Sequence, residues 1–407
     1  MSPLVLPVRS LDPSTAGPTG LLGSSGPGDR RLVIGRHRDG RLIYAMAGGA
    51  APGTATFPAR SFMRPIGINL GSQTFAYGGQ PVTFQLRNLG YLDSLLVHLQ
   101  GTYTVATAAL VFNQMQPYNS VANFLIQGPN SPLPPFNIGG QNLHIWNLRS
   151  DDVAPYVKGF RTPASDTLDA NAFWASKVDQ FPSAIGAAVA HLWWVLPFHR
   201  TVLDITGTLP MGNSQIVNLI ISPAAVADLV TTAADFTAPA FTVEVEQVYL
   251  TPPPAGAAIT GGRVPSNFAI AYDETYQAIA QVGLQKVTVV PNYTILGILH
   301  GVALNGAMDS ADLQALNLRI GSSWWFEPPG IGPGMLSALQ AARYGQPLPV
   351  GFFLYDQDVL GSADWIHTEN GQVTEIESDL TVAAGATLGT NPRVYTSTRR
   401  LIALQGV

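Results

Sequence analysis

Histidine is the residue type in this chain best suited to bind a metal, and its spacing argues against a metal site. No HxH pair and no HExxH sequence occurs, and these are the local patterns that place two imidazoles on one ion. Cysteine is absent, which excludes disulfides, Cys-ligated zinc and a thiol nucleophile. We therefore expect structural or interface histidines, no metal and no cofactor. The seven histidines are His37, His98, His144, His191, His199, His300 and His367.

Carboxylates occur in pairs two residues apart, which raises the question of hydrolysis. Glycosidases use two carboxylates roughly 5 to 10 Å apart, but a half-exposed strand places residues i and i+2 on one polar face without any catalysis. No GxSxG elbow and no phosphate loop ending in GK[ST] occurs either. The sequence therefore predicts no catalytic residue and a protein that is not an enzyme. The pairs are Glu244 and Glu246, Asp356 and Asp358, and Glu375 and Glu377.

Two tryptophan doublets, Trp193-Trp194 and Trp324-Trp325, resemble a sugar-binding platform at first sight. Adjacent residues of a strand point to opposite faces, however, so the two rings of a doublet cannot share one surface. We expect one ring of each pair in the core and the other at an interface, where aromatic residues are enriched.

The elements that carry these residues are predicted to be short β-strands. Apolar or alternating segments recur from residue 67 onward and are separated by turn signals such as Asn305-Gly306 and Asn370-Gly371. Predicted helices are few and short, at Ser222–Thr231, Thr167–Lys177 and Gly334–Arg343. The predicted strands are Val82–Arg87, Tyr91–Val105, Val121–Ile126, Leu192–Phe198, Val202–Thr208, Ile216–Ile221, Phe241–Leu250, Lys286–Val290, Ile295–Leu304, Leu316–Ile320, Val350–Tyr355 and Val394–Leu404.

Length and composition predict two packed units with much of their surface covered. A chain of 407 residues exceeds the usual size of a single core. Charged residues make up 12% of it, about half the usual share, and only three lysines occur. The longest apolar run, Ala184 to Phe198, is shorter than the roughly 20 residues of a membrane-spanning helix. The N-terminus MSPLVLPVRS lacks a secretory pattern, so we expect a chain made in the cytosol and buried against copies or partners.

An internal repeat supports duplication of one β-unit. VTFQLRNLGYLDSLLVHLQG, from Val82, aligns without gaps with VTVVPNYTILGILHGVALNG, from Val287, at an offset of 205 residues, half of the chain. The identical pairs are Val82/Val287, Thr83/Thr288, Val97/Val302, Leu99/Leu304 and Gly101/Gly306.

The order of these features resembles a known family. A Gly/Pro-rich arm precedes strands ending in NLGYLDSLLVHLQGTYTV, then GTLPMGNSQIVNLIIS, a second unit and a short helix before PLPVGFFLYDQDVLG. This order is similar to that of the double jelly-roll major capsid proteins of tailless, membrane-containing double-stranded DNA phages, the tectivirus-like, adenovirus-related lineage. The resemblance covers about residues 67–407.

The resemblance implies an all-β fold of two eight-stranded jelly rolls side by side, with few short helices. It also implies a structural protein of the virion, made in the host cytoplasm, whose homotrimers form pseudo-hexagonal capsomers of an icosahedral shell over an internal membrane. The implied partners are neighbouring capsomers and the vertex and minor capsid proteins. Expected divisions are an arm at 1–66, a first roll at 67–250 with an inserted loop at about 149–186, a linker at 251–265 and a second roll at 266–407.

Two other functions stay open at this stage. A jelly roll can also bind or hydrolyse carbohydrate, and such a protein would be a monomer or dimer that binds glycans. Another virion component, such as a spike, would form a fibre or ring.

The N-terminal arm is the predicted site of contact with an anionic surface. Residues 1–66 carry eight arginines and three aspartates, a balance of +5, which leaves −10 for the rest of a chain of net charge −5. Two short strands, Arg31–Arg36 and Arg41–Met46, are predicted around the Asp39-Gly40 turn. Internal membrane lipid is the expected partner, with packing on a neighbouring subunit as the alternative and sequence-specific nucleic-acid binding not expected. The predicted contact residues are Arg30, Arg31, Arg36, Arg38 and Arg41.

Overall fold

The computed structural model is built almost entirely of β-strands, as the sequence predicts. Two predicted helices, Thr167–Lys177 and Gly334–Arg343, lie outside the described residues. Among the described residues, no helix is long and apolar enough to cross a membrane. The residues described are 30–36, 42–47, 65–113, 116–127, 134–149, 180–200, 207–211, 216–251, 268–321, 323–326, 348–356, 365–368, 373–389 and 391–403.

The strands and helices follow one another along the chain with short connections. The strands are β1 Arg30–Arg36, β2 Leu42–Ala47, β3 Pro65–Phe75, β4 Val82–Gln85, β5 Tyr91–Val105, β6 Val121–Gln127, β7 Phe136–Ile138, β8 Gly186–Pro197, β9 Leu209–Pro210, β10 Asn218–Pro223, β11 Phe236–Leu250, β12 Phe268–Ala278, β13 Gly283–Val289, β14 Thr294–Leu304, β15 Ala307–Met308, β16 Leu313–Ile320, β17 Ser323–Phe326, β18 Phe352–Asp356, β19 Ile376–Val382 and β20 Arg393–Ala403. The helices are α1 Gly140–Arg149 and α2 Val226–Leu229, with 3-10 turns at Gln116–Ser120 and Ala233–Asp235.

Two sets of eight strands have the same topology. The first set forms sheets with the orders β3-β11-β5-β8 and β4-β10-β6-β7, and the second forms β12-β20-β14-β18 and β13-β19-β16-β17. Numbered within each set, both give 1-8-3-6 and 2-7-4-5, the two facing sheets of a jelly roll. The predicted fold class, a double jelly roll, is therefore confirmed.

The sequence repeat coincides with equivalent strands of the two rolls. Val82 and Val287 lie in the second strand of their roll, and Val97 and Val302 lie in the third. The shared glycine has two different causes. A Cβ on Gly101 would lie 2.5 Å from the Ala240 carbonyl oxygen on the neighbouring strand, whereas Gly306 has a φ of 77° in the turn after β14.

The two rolls share apolar packing as well as topology. One core fills the first roll and continues onto the outer face of the β12-β20-β14-β18 sheet through Ile270, Leu296 and Ile402. A second core, with Ile298 and Leu318 at its centre, fills the second roll. Every residue of β14 is buried because one face of this strand meets each core. That position explains why ILGILHGVAL reads as a continuous apolar run rather than an alternating one.

The helices differ from the sequence expectations. The strand β10 runs through Pro223, so the predicted helix at Ser222–Thr231 shortens to α2, Val226–Leu229. The sequence analysis missed α1 altogether. Residues 140–148 of this helix are buried except for partly buried Leu148, so no polar stripe marks a helical period.

Candidate functional site at the junction of the two rolls

The two rolls are joined by a backbone ladder. The strand β7 of the first roll pairs parallel with β12 of the second, with Phe136 opposite Tyr272 and Asn137 opposite Asp273. This pairing merges a sheet from each roll into one sheet of nine strands. The rolls are thus fixed side by side by main-chain hydrogen bonds, which tolerate little rotation.

Polar side chains continue the ladder across the junction. The Asn123 amide donates to Oδ1 of Asn137 at 3.0 Å, and the Asn137 amide donates to Oδ1 of Asp273 at 3.1 Å. Arg400 lies 3.9 Å from the other oxygen of Asp273 and is 3% exposed. Burial lowers the pKa of the Arg400 guanidinium, and the Asp273 charge opposes that effect. An ion pair with so little solvent access holds its geometry rather than trading partners with water.

The helix α1 anchors the first roll in the second through Trp146. The indole nitrogen of Trp146 donates to Oγ of Ser397 at 2.9 Å, and the ring meets Tyr272 edge-on at 5.8 Å between centroids. Gly297 lies under the same ring, where an added Cβ would be 3.0 Å from it. Both contacts cross from the first roll to the second.

The same helix also closes the edge of the first roll. The Asn147 side chain donates to the Val195 carbonyl oxygen at 2.7 Å and accepts from the Val195 amide at 2.9 Å. This side chain therefore acts as one more rung on β8, the edge strand, and removes an exposed pairing edge.

The outer face of the first roll carries a compact aromatic patch. His98 stacks on Trp193 with centroids 3.8 Å apart, and His191 stacks on His98 at 5.3 Å. Nε2 of His98 and Nδ1 of His191 are 3.1 Å apart, within hydrogen-bond distance. Burial, with the nearby His191 charge, lowers the pKa of His98 to about 4. We call His98, His191 and Trp193, with Val189 beside them on β8, the His-Trp patch.

The tryptophan expectation holds for the first doublet. Trp194 is fully buried in the core of the first roll, while Trp193 points to the outer face and joins the patch. The side chains of Trp324 and Trp325 lie outside the described residues.

The other described histidines are mostly core residues. His300 lies between Oγ1 of Thr396 at 3.1 Å and Oγ of Ser378 at 2.7 Å, and burial lowers its pKa to about 4. His144 stacks on Tyr118, and burial lowers its pKa to about 3. No group of three metal-binding side chains occurs among the residues described here.

The carboxylate pairs have structural surroundings. Glu377 accepts hydrogen bonds from Arg319 and Lys286. Its partial burial raises its pKa, but these two cations lower it more, and the net shift is downward. Glu244 accepts from Asn69 across the strand pair, and Asp356 is buried while Asp358 lies outside the described residues.

The predicted arm site is described only as backbone. The strands β1 and β2 pair antiparallel, with Arg30 opposite Ala47 and Arg36 opposite Leu42. Arg38 and Arg41 lie outside the described residues.

Solved structures with this fold are capsid proteins of several viruses. No protein-family model matches the sequence, and no curated protein matches it. The chain is similar to the major capsid protein of Sulfolobus turreted icosahedral virus, with 14% identity, a TM-score of 0.61 and coverage of 84% of this chain and 97% of that one. It is also similar to VP54 of PBCV-1, with 10% identity, a TM-score of 0.56 and coverage of 83% and 93%. The Faustovirus major capsid protein matches with 8% identity, a TM-score of 0.51 and coverage of 88% and 92%.

The comparisons and the topology agree on the fold. This chain is a double jelly roll, and the matches cover nearly the full length of the proteins it resembles.

Proposed function

We propose that this chain is the major capsid protein of an icosahedral virus, a structural subunit of the virion and not an enzyme. The observation that carries the proposal is the junction. Two equivalent rolls are locked side by side by the β7–β12 ladder and by α1. A rigid subunit with two equivalent halves lets three copies form a pseudo-hexagonal capsomer that tiles a closed shell. An enzyme has no evident need for such a duplicated unit.

The surface supports assembly with further copies. Ile185 and Val189 are 62% and 47% exposed in the single chain, and both border the His-Trp patch on β8. Stacked aromatic rings with few charges nearby are typical of interface cores. We propose that this patch contacts a neighbouring subunit. Neighbouring capsomers and the vertex and minor capsid proteins are the further proposed partners.

The proposed division follows the two strand sets. The arm occupies 1–66, the first roll 67–250 with an inserted loop at about 149–186, the linker 251–265 and the second roll 266–407. The strand β3 starts slightly earlier, at Pro65, and the matching strand of the second roll starts at Phe268.

We expect the purified chain to sediment as a trimer at micromolar concentration. Obligate subunit interfaces resemble a domain core cut in half, and this chain has few charges with which to coat a free monomer. Val189→Arg should weaken the trimer on the order of tenfold or more, because it places a charge in an apolar contact. Analytical ultracentrifugation measures both effects.

The matched control is Val111→Arg, which changes a residue that is 61% exposed and lies away from the His-Trp patch. A wild-type chain that sediments as a stable monomer would count against the capsid proposal. A Val189→Arg trimer as stable as wild type would move the contact elsewhere.

We further propose that the arm faces an internal membrane. The intact protein should float with anionic liposomes at low ionic strength, because each basic residue near such a surface contributes on the order of 1 kcal/mol. Deleting residues 1–60 should abolish flotation, and it should leave the rolls folded. Replacing Arg30, Arg31, Arg36, Arg38 and Arg41 with glutamine should have most of the same effect. If flotation is unchanged while capsomer contacts weaken, the arm binds a neighbouring subunit instead.

A further inference from the structure

A polar cleft lies between the two rolls at one end of the junction. Its volume is about 580 Å³, within the roughly 300–1,000 Å³ of typical ligand pockets. The first roll contributes residues from α1, α2 and the loop before β6, and the second contributes residues from β12, β20 and the turn after β14. The cleft exists only because the rolls are joined, so neither roll alone would form it.

Side-chain amides dominate the lining of the cleft. Each amide offers donors and an acceptor within one group, which suits ligands whose hydroxyls both donate and accept. Asn142 is 1% exposed and donates to Glu274, while its Oδ1 is buried without a hydrogen-bond partner in the described part of the chain. A buried acceptor without a partner is costly unless a ligand or water satisfies it. The lining amides are Asn113, Asn119, Gln141, Asn142, Asn305 and Asn391.

An aromatic ring is held at the mouth of the cleft. Tyr276 is 70% exposed, and the Arg393 guanidinium lies over its ring at 5.4 Å and over the Tyr395 ring at 5.7 Å. A fixed ring with open solvent on one side can stack on the apolar C–H face of a pyranose. The ring and the amides together present the two surfaces that a sugar offers.

The charges of the cleft disfavour an anionic ligand. Its charged lining residues are Asp228, Glu274 and Arg393, so carboxylates outnumber the single cation. The Glu274 carboxylate accepts from the Gly139 amide at 2.7 Å and lies in the entrance to α1. A phosphate or a sulfated chain would meet these carboxylates at close range, whereas a neutral sugar would use them as acceptors.

The cleft lies at the end of the subunit opposite to the arm. The arm joins at Pro65, which pairs with Leu250, and Leu250 pairs with Tyr91 at the start of β5. The cleft residue Asn113 follows the other end of β5. Because β7 and β12 are parallel and both run toward the cleft, the second roll has the same orientation. If the arm faces the interior, the cleft faces outward.

We propose that this cleft binds a neutral oligosaccharide, such as a glycan on the surface of a host cell. The outward orientation rests on the proposed capsid function, but the binding chemistry does not. The ligand would stack on Tyr276 and hydrogen-bond to Asn142 and the surrounding amides.

The test uses the purified full-length protein on a printed panel of neutral and anionic oligosaccharides. The free form of the strongest neutral binder is then titrated by calorimetry. Tyr276→Ala should weaken binding on the order of tenfold, because it removes the stacking surface without touching the core. The matched control is Leu284→Ala, which removes a 55% exposed side chain elsewhere on the second roll and should leave affinity unchanged.

Sedimentation of the same samples separates the two proposals. A trimer that binds no oligosaccharide overturns the cleft proposal alone, and a monomer that binds neutral sugars through Tyr276 overturns the capsid proposal alone. Binding that survives Tyr276→Ala, or a preference for anionic saccharides, overturns the assignment of a neutral ligand to this cleft.

Discussion

Replacing Trp146 with alanine is expected to lower the free energy of unfolding by about 3–5 kcal/mol, the usual cost of truncating a buried aromatic side chain. Trp146 is 3% exposed, fills the space above Gly297 and donates to Ser397. All three residues belong to the contact between the rolls, so the loss should also uncouple them. Calorimetry should then resolve two unfolding transitions in place of one.

A core substitution separates uncoupling from simple destabilisation. Phe353→Ala removes a side chain that is 1% exposed and belongs to the interior of the second roll. It should destabilise by a similar amount and leave the junction intact. Ser397→Ala should cost only about 1 kcal/mol, because it removes one hydrogen bond and keeps the packing. A Trp146→Ala change below that size, with one transition, would mean that α1 does not couple the rolls.

The second large effect is expected in acid. The pKa of His300 is about 4 in the folded chain, below the roughly 6.5 of an unfolded histidine. Between these two values the unfolded chain binds a proton that the folded chain does not. The stability contributed by neutral His300 is therefore complete above about pH 6.5 and lost as pH falls toward 4, by about 3 kcal/mol. His144 acts in the same direction, while the raised pKa of Glu274, caused by burial, opposes it.

Denaturant unfolding at a series of pH values measures this dependence. His300→Gln keeps a polar group near Ser378 and removes the titration, so its stability should fall less steeply between pH 6.5 and pH 4. Thr396→Val breaks the other hydrogen bond to His300 and leaves the imidazole in place. Its stability should be lower at every pH, with the wild-type slope. Equal slopes for wild type and His300→Gln would show that His300 is not the titrating group.

Most strands could be predicted because their apolar runs are local signals. Tyr91–Val105 was predicted with the bounds that the structure gives, since its alternation reflects one buried face and one outer face. The repeat at an offset of 205 residues marked two strands whose equivalence the topology shares. The Asn305-Gly306 turn followed from residue preferences alone, and both residues have positive φ.

The strands and the helix that were missed depend on the partner roll. In β12, Phe268–Ala278, the first residues are buried against the first roll while the last four are exposed, so no single period runs through the strand. The short strand β7, Phe136–Ile138, exists because β6 and β12 flank it. The cleft and the His-Trp patch were missed for the same reason. His98 and His191 are 93 residues apart in sequence and meet only when β5 and β8 pair.

Negative-stain electron microscopy of the purified full-length protein tests the capsid proposal most directly. Class averages are expected to show one particle with a pseudo-hexagonal outline, in which three subunits contribute two rolls each. Single two-lobed particles, fibres or rings of another symmetry would contradict the proposal.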